Sequence, residues 1–368
     1  MEYKYKYLSV NDNLSLKICC ITYNLHGIYL DTNQISDLLT IHKNNDCDIY
    51  AIGTQESQRS ILMNLVFWDK SQFELDLAQF FGKDYVRLNT ETLGGIHLII
   101  FIKNIHKNYI LNYYKEYIKT GFYGILGNKG GIGIGFKMYN ISFFIINCHL
   151  TCGFDNSLYR NYDFDYIKKN IHPQLDNFDI IIWMGDFNYR VNKTMEDIEE
   201  IYKNKQEMTL LEYDQMNSEI KNYNLKSFGF KEGKITFLPT YKYSDNSKNE
   251  IVCDMPDHIP SWTDRIIYKV NENKFKLIED NEKEKEKEKE KEKFINNEKE
   301  IKEDEKEDND NSSFYEDARE SKEDINKENE NGDNVCEASF KLTQYNSMQN
   351  IVFSDHKPVF AYFSVNIK

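Results

Sequence analysis

The sequence predicts an α/β fold in which two packed β-sheets are covered by helices on their outer sides. Short apolar runs of a few residues, many of them rich in Ile and Phe, recur along most of the chain, and such runs are typical of buried strands. Polar segments with helical spacing lie between some of them, and this alternation favours sheets with helices outside. With 368 residues, 40% of them hydrophobic, the chain is long enough to bury a sizeable core.

The eight strongest apolar runs are each predicted to form a strand, because Ile, Val, Phe and Tyr favour pleated, buried surfaces. In chain order they are 16–23, 48–53, 96–102, 131–136, 141–147, 179–184, 265–270 and 358–365. The spacing of apolar residues predicts helices at 34–43, 158–170, 194–203 and 209–220. Two aromatic-rich stretches, 73–81 and 108–117, are interpreted as a core helix and a strand at a sheet edge, with membrane-contacting loops as the alternative.

We expect a single domain over 1–368, interrupted by a low-complexity charged insertion at about 281–337. This segment holds 23 Asp and Glu against 12 Lys and Arg, so it carries −11 of the chain's formal net charge of −14. The other 311 residues carry only −3. Because alternating charge offers almost no apolar surface to bury, the insertion is predicted to be disordered.

The composition argues against several classes of protein. An aromatic content of 14% does not fit a collagen, a coiled coil or a fully disordered chain, and a pI near 5.2 argues against a nucleic-acid partner. The seven cysteines lack the spacing of a zinc site, which favours free thiols in a reducing compartment. Neither a signal sequence nor a run of about 18 apolar residues is found. We therefore expect a cytoplasmic monomer that contacts membranes only peripherally.

Polar residues that can do chemistry stand at the ends of six predicted strands. They are Asn24, Glu56, His149, Asp186 with Asn188, Asp264, and Asp355 with His356. Loops at the ends of rigid strands commonly carry catalytic groups, and six such ends indicate one active site. Oxygen atoms from Asp186 and Asn188 could hold a water and a hard cation, and Arg190 could meet an anion.

Three segments, WMGDFNYRV at 183–191, PSWTDRI at 260–266 and SDHKPV at 354–359, resemble the signature motifs of the inositol polyphosphate 5-phosphatases. Similar segments occur in the expected order: TYNLHG at 22–27, QE at 55–56, TGFYGILGNKGG at 120–131, CHLTCG at 148–153, RNYD at 160–163 and FLPTYKY at 237–243. The resemblance implies the endonuclease/exonuclease/phosphatase superfamily and its DNase I-like fold, a four-layer α/β/β/α sandwich. It also implies hydrolysis of a phosphomonoester, namely the 5-phosphate of phosphoinositides or of soluble inositol polyphosphates.

The resemblance further implies which residues hold the metal and the attacking water. Glu56, with Asn24 nearby, matches the site of Mg²⁺, a cation that prefers oxygen ligands. Asp186 matches the residue that orients or deprotonates the attacking water. Asn188 matches its neighbour that helps to hold the phosphate.

Four more residues match groups that act on the scissile phosphate. His356 matches the histidine that contacts this phosphate, and Asp264 would pair with the imidazole ring and favour its charged form. Asp355 matches a second acid beside the metal. His149 matches the histidine that stabilises the pentavalent phosphorus.

Substrate-binding residues are implied in the same way. Tyr241 and Lys242 match contacts to the inositol 4-phosphate, and Asn128 and Lys129 match contacts on the side of the 1-phosphate. The chain departs from the pattern at His258, where many relatives carry Lys or Arg. We therefore expect a weaker or pH-dependent contact with the 4-phosphate.

Two alternatives of other kinds remain open. A phosphodiesterase similar to DNase or an abasic-site endonuclease would share the Asp-x-Asn and Asp-His elements. A non-catalytic phosphoinositide-binding module would share the fold but not the activity. The sequence also leaves open whether a substrate would be a lipid or a soluble inositol phosphate.

Overall fold

A computed structural model describes residues 14–57, 70–124, 126–222, 228–244, 250–254, 258–278 and 338–367. In this part of the chain the strands are β1 (Leu14–Asn24), β2 (Ile49–Gln55), β3 (Tyr85–Leu93), β4 (Ile96–Lys103), β5 (Ile110–Thr120), β6 (Leu126–Met138), β7 (Ile141–His149), β8 (Ile180–Asp186), β9 (Lys231–Glu232), β10 (Asp264–Val270), β11 (Phe275–Leu277), β12 (Ala338–Ser347) and β13 (Val359–Ile367). The α-helices are α1 (Thr32–Lys43), α2 (Ser71–Phe81), α3 (Gly121–Gly124), α4 (Ser157–Asn170), α5 (Met195–Lys203) and α6 (Gln215–Asn222).

The strands form two mixed sheets. Sheet A has the order β11-β12-β13-β1-β2-β4-β3, and sheet B has the order β5-β6-β7-β8-β10-β9. In sheet A, β1 is parallel to β2 and antiparallel to β13. In sheet B, β7 is parallel to β8, and β10 is antiparallel to β8.

Three apolar clusters separate four layers. On β1, Leu16, Ile18 and Cys20 point into the core between the two sheets, whereas the alternate residues, Cys19 and Ile21, pack against α1 and α2. A third cluster lies between the outer face of sheet B and α4. Strands buried on both faces read as continuous apolar runs, which is why these strands could be recognised in the sequence. The order is helix, sheet, sheet, helix, and the predicted four-layer sandwich is confirmed.

The glycine-rich strand β6 lets α4 approach sheet B closely. A Cβ atom at Gly131 would lie 2.9 Å from Cγ2 of Ile167 on α4, and one at Gly133 would lie 2.4 Å from the Phe144 ring. These glycines therefore leave the room that α4 and the neighbouring strand fill. The glycines of β6 thus serve the packing of sheet B.

All eight predicted strands are present, and so are the predicted helices that correspond to α1, α4 and α5. The prediction of one helix over 209–220 was wrong in its first half, where Glu207–Tyr213 is a 3₁₀ helix. Asp214 separates that turn from α6, since its backbone is extended and its carboxylate accepts a hydrogen bond from the backbone N–H of Asn217 at 2.8 Å. An acceptor in this position starts a new helix.

The two aromatic-rich stretches are structural. The segment 73–81 lies in α2 and buries Phe73, Leu77 and Phe81, and most of 108–117 lies in β5, the first strand of sheet B. The charged insertion at about 281–337 lies outside the described residues, so its disorder and the single-domain organisation stay predictions. Among the helices that the structure describes, none has the length and apolar character needed to span a membrane.

Candidate active site

The strand ends singled out in the sequence meet at one edge of the two sheets. Asn24, His149 and Asp186 are the last residues of β1, β7 and β8, and Glu56 directly follows β2. The strands β10 and β13 run antiparallel to their neighbours, so their starting ends lie at this same edge. Asp264 stands opposite Asp186, which in turn stands opposite His149. Topology alone thus gathers side chains that are far apart in the sequence.

Asp186 is the centre of the cluster. Its Oδ2 accepts a hydrogen bond from Nδ2 of Asn24 at 2.9 Å and lies 3.3 Å from Nε2 of His149. Its Oδ1 accepts the backbone N–H of Asn188 at 3.0 Å. Burial by itself would raise the pKa of Asp186, but His149 and the positive charges of His356 and Lys129 outweigh it and hold this pKa well below its usual range. Asp186 is therefore an anion at any physiological pH.

Asp264 and His356 form a buried pair beside Asp186. Nδ1 of His356 lies 2.8 Å from Oδ2 of Asp264, and the hydroxyls of Thr240 and Thr263 donate to the same oxygen at 2.8 and 2.9 Å. Burial lowers the pKa of His356, but the charge and hydrogen bond of Asp264 outweigh it and raise this pKa to about 9. His356 is thus a cation at neutral pH, with Nδ1 engaged by Asp264.

Glu56 lies on the open side of the cluster. Its Oε1 accepts a hydrogen bond from Nδ2 of Asn24 at 3.4 Å and lies 3.7 Å from Nε2 of His149, and its side chain is 24% exposed. Nδ1 of His26 is 4.0 Å from Oε2. A carboxylate with weak, long contacts can accept a cation at small cost, so Glu56 fits a divalent metal.

Asn24 fits a metal less directly than Glu56 does. Its NH₂ group faces the carboxylates of both Glu56 and Asp186, and its Oδ1 accepts the backbone N–H of His26 at 3.0 Å. In this orientation it is a hydrogen-bond donor between two anions, and it would offer oxygen to a cation only with the amide reversed.

A second set of potential ligands is more enclosed. Atoms of Asp186, Asp264 and His356 lie within 4.8 Å of one another, and all three residues are buried. Because Nδ1 of His356 is already bonded to Asp264, this set is better suited to hold a proton than a metal.

Tyr241 connects the cluster to the predicted substrate-binding residues. Its ring centre lies 4.7 Å from that of His356 and 4.5 Å from Cζ of Arg190. The next residue, Lys242, places its ammonium 3.3 Å from Oδ2 of Asp355. The side chains of Tyr241, Arg190 and Lys242 thus form one wall of the space above the cluster, next to the His356 ring. We refer to this space as the cleft.

His258 lies at the outer side of that wall. Its ring centre is 6.5 Å from that of Tyr241, and Nδ1 bonds to the carboxylate of Asp254. Asp257, the acid that precedes His258 in the sequence, lies outside the described residues. The described partner of His258 is thus four residues upstream.

Lys129 and Asn128 approach the cluster from the opposite wall. The ammonium of Lys129 makes a hydrogen-bond contact with Nε2 of His149. Oδ1 of Asn128 is buried and has no hydrogen-bond partner among the residues that the structure describes. Of these two residues, Lys129 thus lies beside His149.

A chain of hydrogen bonds supports this cleft from below. The buried guanidinium of Arg160 donates to Oε1 of Gln215 at 2.5 Å, and the same oxygen accepts the backbone N–H of Arg190 at 3.0 Å. Nη2 of Arg190 donates to Oδ1 of Asn188 at 2.9 Å. Arg190 thus holds Asn188 directly, and it is buried among protein groups.

Sequence reasoning missed three residues of the cleft. Nδ1 of His26 lies 3.5 Å from Oδ1 of Asp355, and Thr240 and Thr263 hydrogen-bond Asp264. His26 lies in the TYNLHG segment, Thr240 in FLPTYKY and Thr263 in PSWTDRI, so a systematic reading of these motifs could have found them.

Sequence comparison shows that the chain is similar to phosphoinositide 5-phosphatases. The chain is 32% identical over 240 residues to phosphatidylinositol 3,4,5-trisphosphate 5-phosphatase 2A of Danio rerio, a match that covers 60% of this chain and 18% of that protein. It is 30% identical over 278 residues to phosphatidylinositol 4,5-bisphosphate 5-phosphatase INP51 of Saccharomyces cerevisiae, covering 70% and 29%. The chain thus spans less than a third of the length of either relative.

Solved structures confirm the fold. The inositol polyphosphate 5-phosphatase domain of SPsynaptojanin, solved with inositol (1,4)-bisphosphate and calcium, matches with a TM-score of 0.68 and 24% identity over 97% of this chain and 86% of that one. A Cimex nitrophorin in a ferrous NO complex matches with a TM-score of 0.60 and 18% identity over 96% and 99%. Because one fold serves such different proteins, function must be argued from the site.

The predicted resemblance to inositol polyphosphate 5-phosphatases and the predicted DNase I-like architecture are both confirmed. The family model described as endonuclease/exonuclease/phosphatase family 2 matches residues 21–291, and the chain belongs to this family.

Proposed function

We propose that this chain is a Mg²⁺-dependent phosphatase that removes the 5-phosphate from phosphoinositides, from soluble inositol polyphosphates, or from both. The observation that carries the proposal is the juxtaposition of an ionised Asp186, a cationic His356 and an open Glu56 at one end of the two sheets. The names of the relatives, which are 5-phosphatases of phosphoinositides and inositol phosphates, support the same activity.

Asp186 would orient the attacking water. A carboxylate with a strongly lowered pKa is a weak base, but it is a permanent hydrogen-bond acceptor, and Asn24 and Asn188 hold it from both sides. The charge of His356 would stabilise the phosphate oxygens as negative charge develops on them, since a fixed cation in a buried site acts more strongly than it would in water.

The metal would be held by Glu56, with Asn24 beside it. When bound, a divalent cation supplies positive charge to phosphate oxygens and to the leaving group. Asp355, which His26 and Lys242 contact, would add a second negative charge beside it.

Binding of the other substrate phosphates would come from the two walls of the cleft. Lys129 and Asn128 would meet the 1-phosphate on one wall, and Tyr241 and Lys242, with His258 at the outer side, would meet the 4-phosphate on the other. Charge-assisted hydrogen bonds of this kind contribute about 1.5–3 kcal/mol each. A cytoplasmic location and a monomeric state belong to the same proposal.

The test is phosphate release from inositol 1,4,5-trisphosphate and from phosphatidylinositol 4,5-bisphosphate vesicles, with Mg²⁺ or with EDTA. We expect release only with Mg²⁺, and a loss of about 10²–10⁴-fold in Asp186→Ala and His356→Ala. The matched control is Asp48→Asn. Asp48 is a buried aspartate outside the cleft, and its Oδ1 lies 3.0 Å from Nε2 of His106. Nicking of supercoiled DNA without phosphate release would overturn the proposal in favour of a nuclease, and binding without turnover would favour a non-catalytic module.

A further inference from the structure

Helix α4 carries large apolar side chains on the face that it turns to solvent. Leu158, Tyr159, Tyr162 and Tyr166 are 79%, 65%, 63% and 40% exposed. At 100° per residue they occupy about 100° of the helix circumference, opposite the buried face. We refer to these four residues as the tyrosine face of α4.

The opposite face of the same helix is fully packed against the protein, and the tyrosine face takes no part in this packing. Phe164 and Ile167 pack into the third apolar cluster, and Arg160 and Asp163 are buried through bonds to the loop that follows β7. The rings of Tyr162 and Tyr166 stack on each other at 5.8 Å between centres. Packing within the described fold therefore does not explain why the outer face is aromatic.

The tyrosine face begins at the mouth of the candidate active site. Nη1 of Arg160 donates to the carbonyl of Gly153 at 2.6 Å, and the backbone N–H of Thr151 donates to Asp163 at 2.9 Å. These bonds fix the first turns of α4 on the loop that starts after His149. Since α4 connects the parallel strands β7 and β8, it runs back from this edge, and Tyr166 lies about 12 Å further from the mouth than Leu158 does.

The composition of the face points to a bilayer as its occupant. Contiguous apolar patches on soluble proteins usually mark an interaction site, and tyrosine has an apolar body with a polar tip that suits the headgroup level of a membrane. The basic residues near the far end of α4 are engaged, because Lys168 pairs with Asp176 and Lys169 with Asp165. The tyrosine face therefore does not attract anionic lipids through a polybasic patch.

We propose that the tyrosine face of α4 inserts into the headgroup region of the bilayer that carries the lipid substrate, with Leu158 and Tyr159, at the end nearest the mouth, inserted most deeply, and thereby holds the cleft next to the membrane. The inference rests on the proposed function for its biological purpose, but the contact itself requires no catalysis. Because insertion is apolar, it depends little on ionic strength, unlike contacts between exposed charges.

The test uses the full chain and the double variant Leu158→Ser/Tyr159→Ser. Co-sedimentation with vesicles of phosphatidylcholine and phosphatidylserine, which contain no phosphoinositide, measures membrane contact independently of turnover. The matched control is Leu75→Ser/Ile105→Ser, which removes side chains that are 62% and 71% exposed on other elements. We expect the first variant to lose about tenfold in vesicle binding, as the transfer free energy of a leucine side chain implies, and the control to bind as the wild type does.

Turnover separates this inference from the proposed function. We expect the Leu158→Ser/Tyr159→Ser variant to lose about tenfold on phosphatidylinositol 4,5-bisphosphate in vesicles and to keep wild-type activity on soluble inositol 1,4,5-trisphosphate. If no substrate is turned over, the proposed function fails while vesicle binding still decides the inference. Unchanged vesicle binding would overturn the inference even if the enzyme is active.

A second variant covers the case in which the double serine variant fails to fold. Tyr162→Trp keeps an aromatic ring on the exposed face and adds a fluorescent probe. We expect its additional emission to shift to shorter wavelength when the same phosphoinositide-free vesicles are added, at low and at high salt. An unshifted emission maximum would show that the face stays in water and would overturn the inference.

Discussion

Replacing Asp264 by Asn tests whether His356 works as a cation. Oδ2 of Asp264 accepts bonds from His356, Thr240 and Thr263, and an asparagine oxygen can keep these bonds while the charge is lost. The difference between an ordinary histidine pKa of 6.5 and about 9 corresponds to about 3 kcal/mol in favour of the charged ring, at about 1.4 kcal/mol per pKa unit. Without the carboxylate, burial lowers the pKa of His356 and the charges of Asp355 and Asp186 still raise it, so we expect this pKa to return to its ordinary value of about 6.5.

The consequence is a loss of activity that depends on pH. With a pKa of about 9, His356 is about 90% charged at pH 8, whereas with a pKa of about 6.5 only about 3% of it is charged. We therefore expect Asp264→Asn to lower kcat/KM about thirtyfold at pH 8 and less than twofold at pH 6. Wild-type activity should decline only as pH rises through about 9, because a raised pKa keeps the ring charged up to that value.

The assay is phosphate release from inositol 1,4,5-trisphosphate between pH 6 and pH 10, with circular dichroism to verify the fold. Asp48→Asn is the matched control, since Asp48 also contacts a buried histidine, His106, at 3.0 Å, and we expect it to keep the wild-type pH profile. An equal loss at pH 6 and pH 8 in Asp264→Asn would refute the reasoning, because it would mean that the pair acts through geometry and not through the charge of His356.

Three further predictions concern stability, the insertion and substrate choice. Burial lowers the pKa of His42 to about 4, so the folded protein keeps this ring neutral at pH values where the unfolded chain binds a proton. We therefore expect the free energy of unfolding, measured with urea, to fall by up to about 3 kcal/mol as pH falls from about 6.5 to 4. The loss should be much smaller in His42→Gln. Replacing 281–337 by roughly a dozen Gly and Ser residues, enough to connect the parallel strands β11 and β12, should keep phosphatase activity and melting temperature nearly unchanged; loss of folded protein would show that the segment is structural. His258→Arg should lower KM for 4-phosphorylated substrates and leave kcat nearly unchanged, and identical pH profiles of KM for the wild type and His258→Ala would show that His258 does not contact the substrate.

The sequence was most informative where strands are buried on both faces. The segment 141–147 and the other strong apolar runs are central strands, and their side chains are mostly apolar because both faces are covered. Strands β3 and β12 were not predicted, because they are partly exposed and contain polar residues such as Glu91 and Gln344. A strand of this composition cannot be told from a loop without its neighbours.

The positions of the site residues at strand ends could be predicted from the sequence, but their hydrogen-bond partners could not. That Asp186 and His356 stand at strand ends is visible in the sequence, and sheet topology then brings those ends together. The contact between His258 and Asp254 and the donation of Asn24 to two carboxylates depend on loop conformation and amide orientation, which local sequence does not determine. Hydrogen-bond partners of this kind require coordinates.

The pairing of β1 with β13 has a consequence for how the protein is made. Sheet B is built largely from strands that follow one another in the chain, whereas β1 in the middle of sheet A pairs with β13, so that Thr22 stands opposite Val359. At a synthesis rate of about 5–20 residues per second, β13 is completed roughly ten to forty seconds after β8. During that interval β1 has one open edge and Asn24 and Asp186 have no His356 beside them. We therefore expect ribosome-bound chains halted before β13 to protect sheet B from protease sooner than sheet A, and to acquire activity only when the last strand has been added.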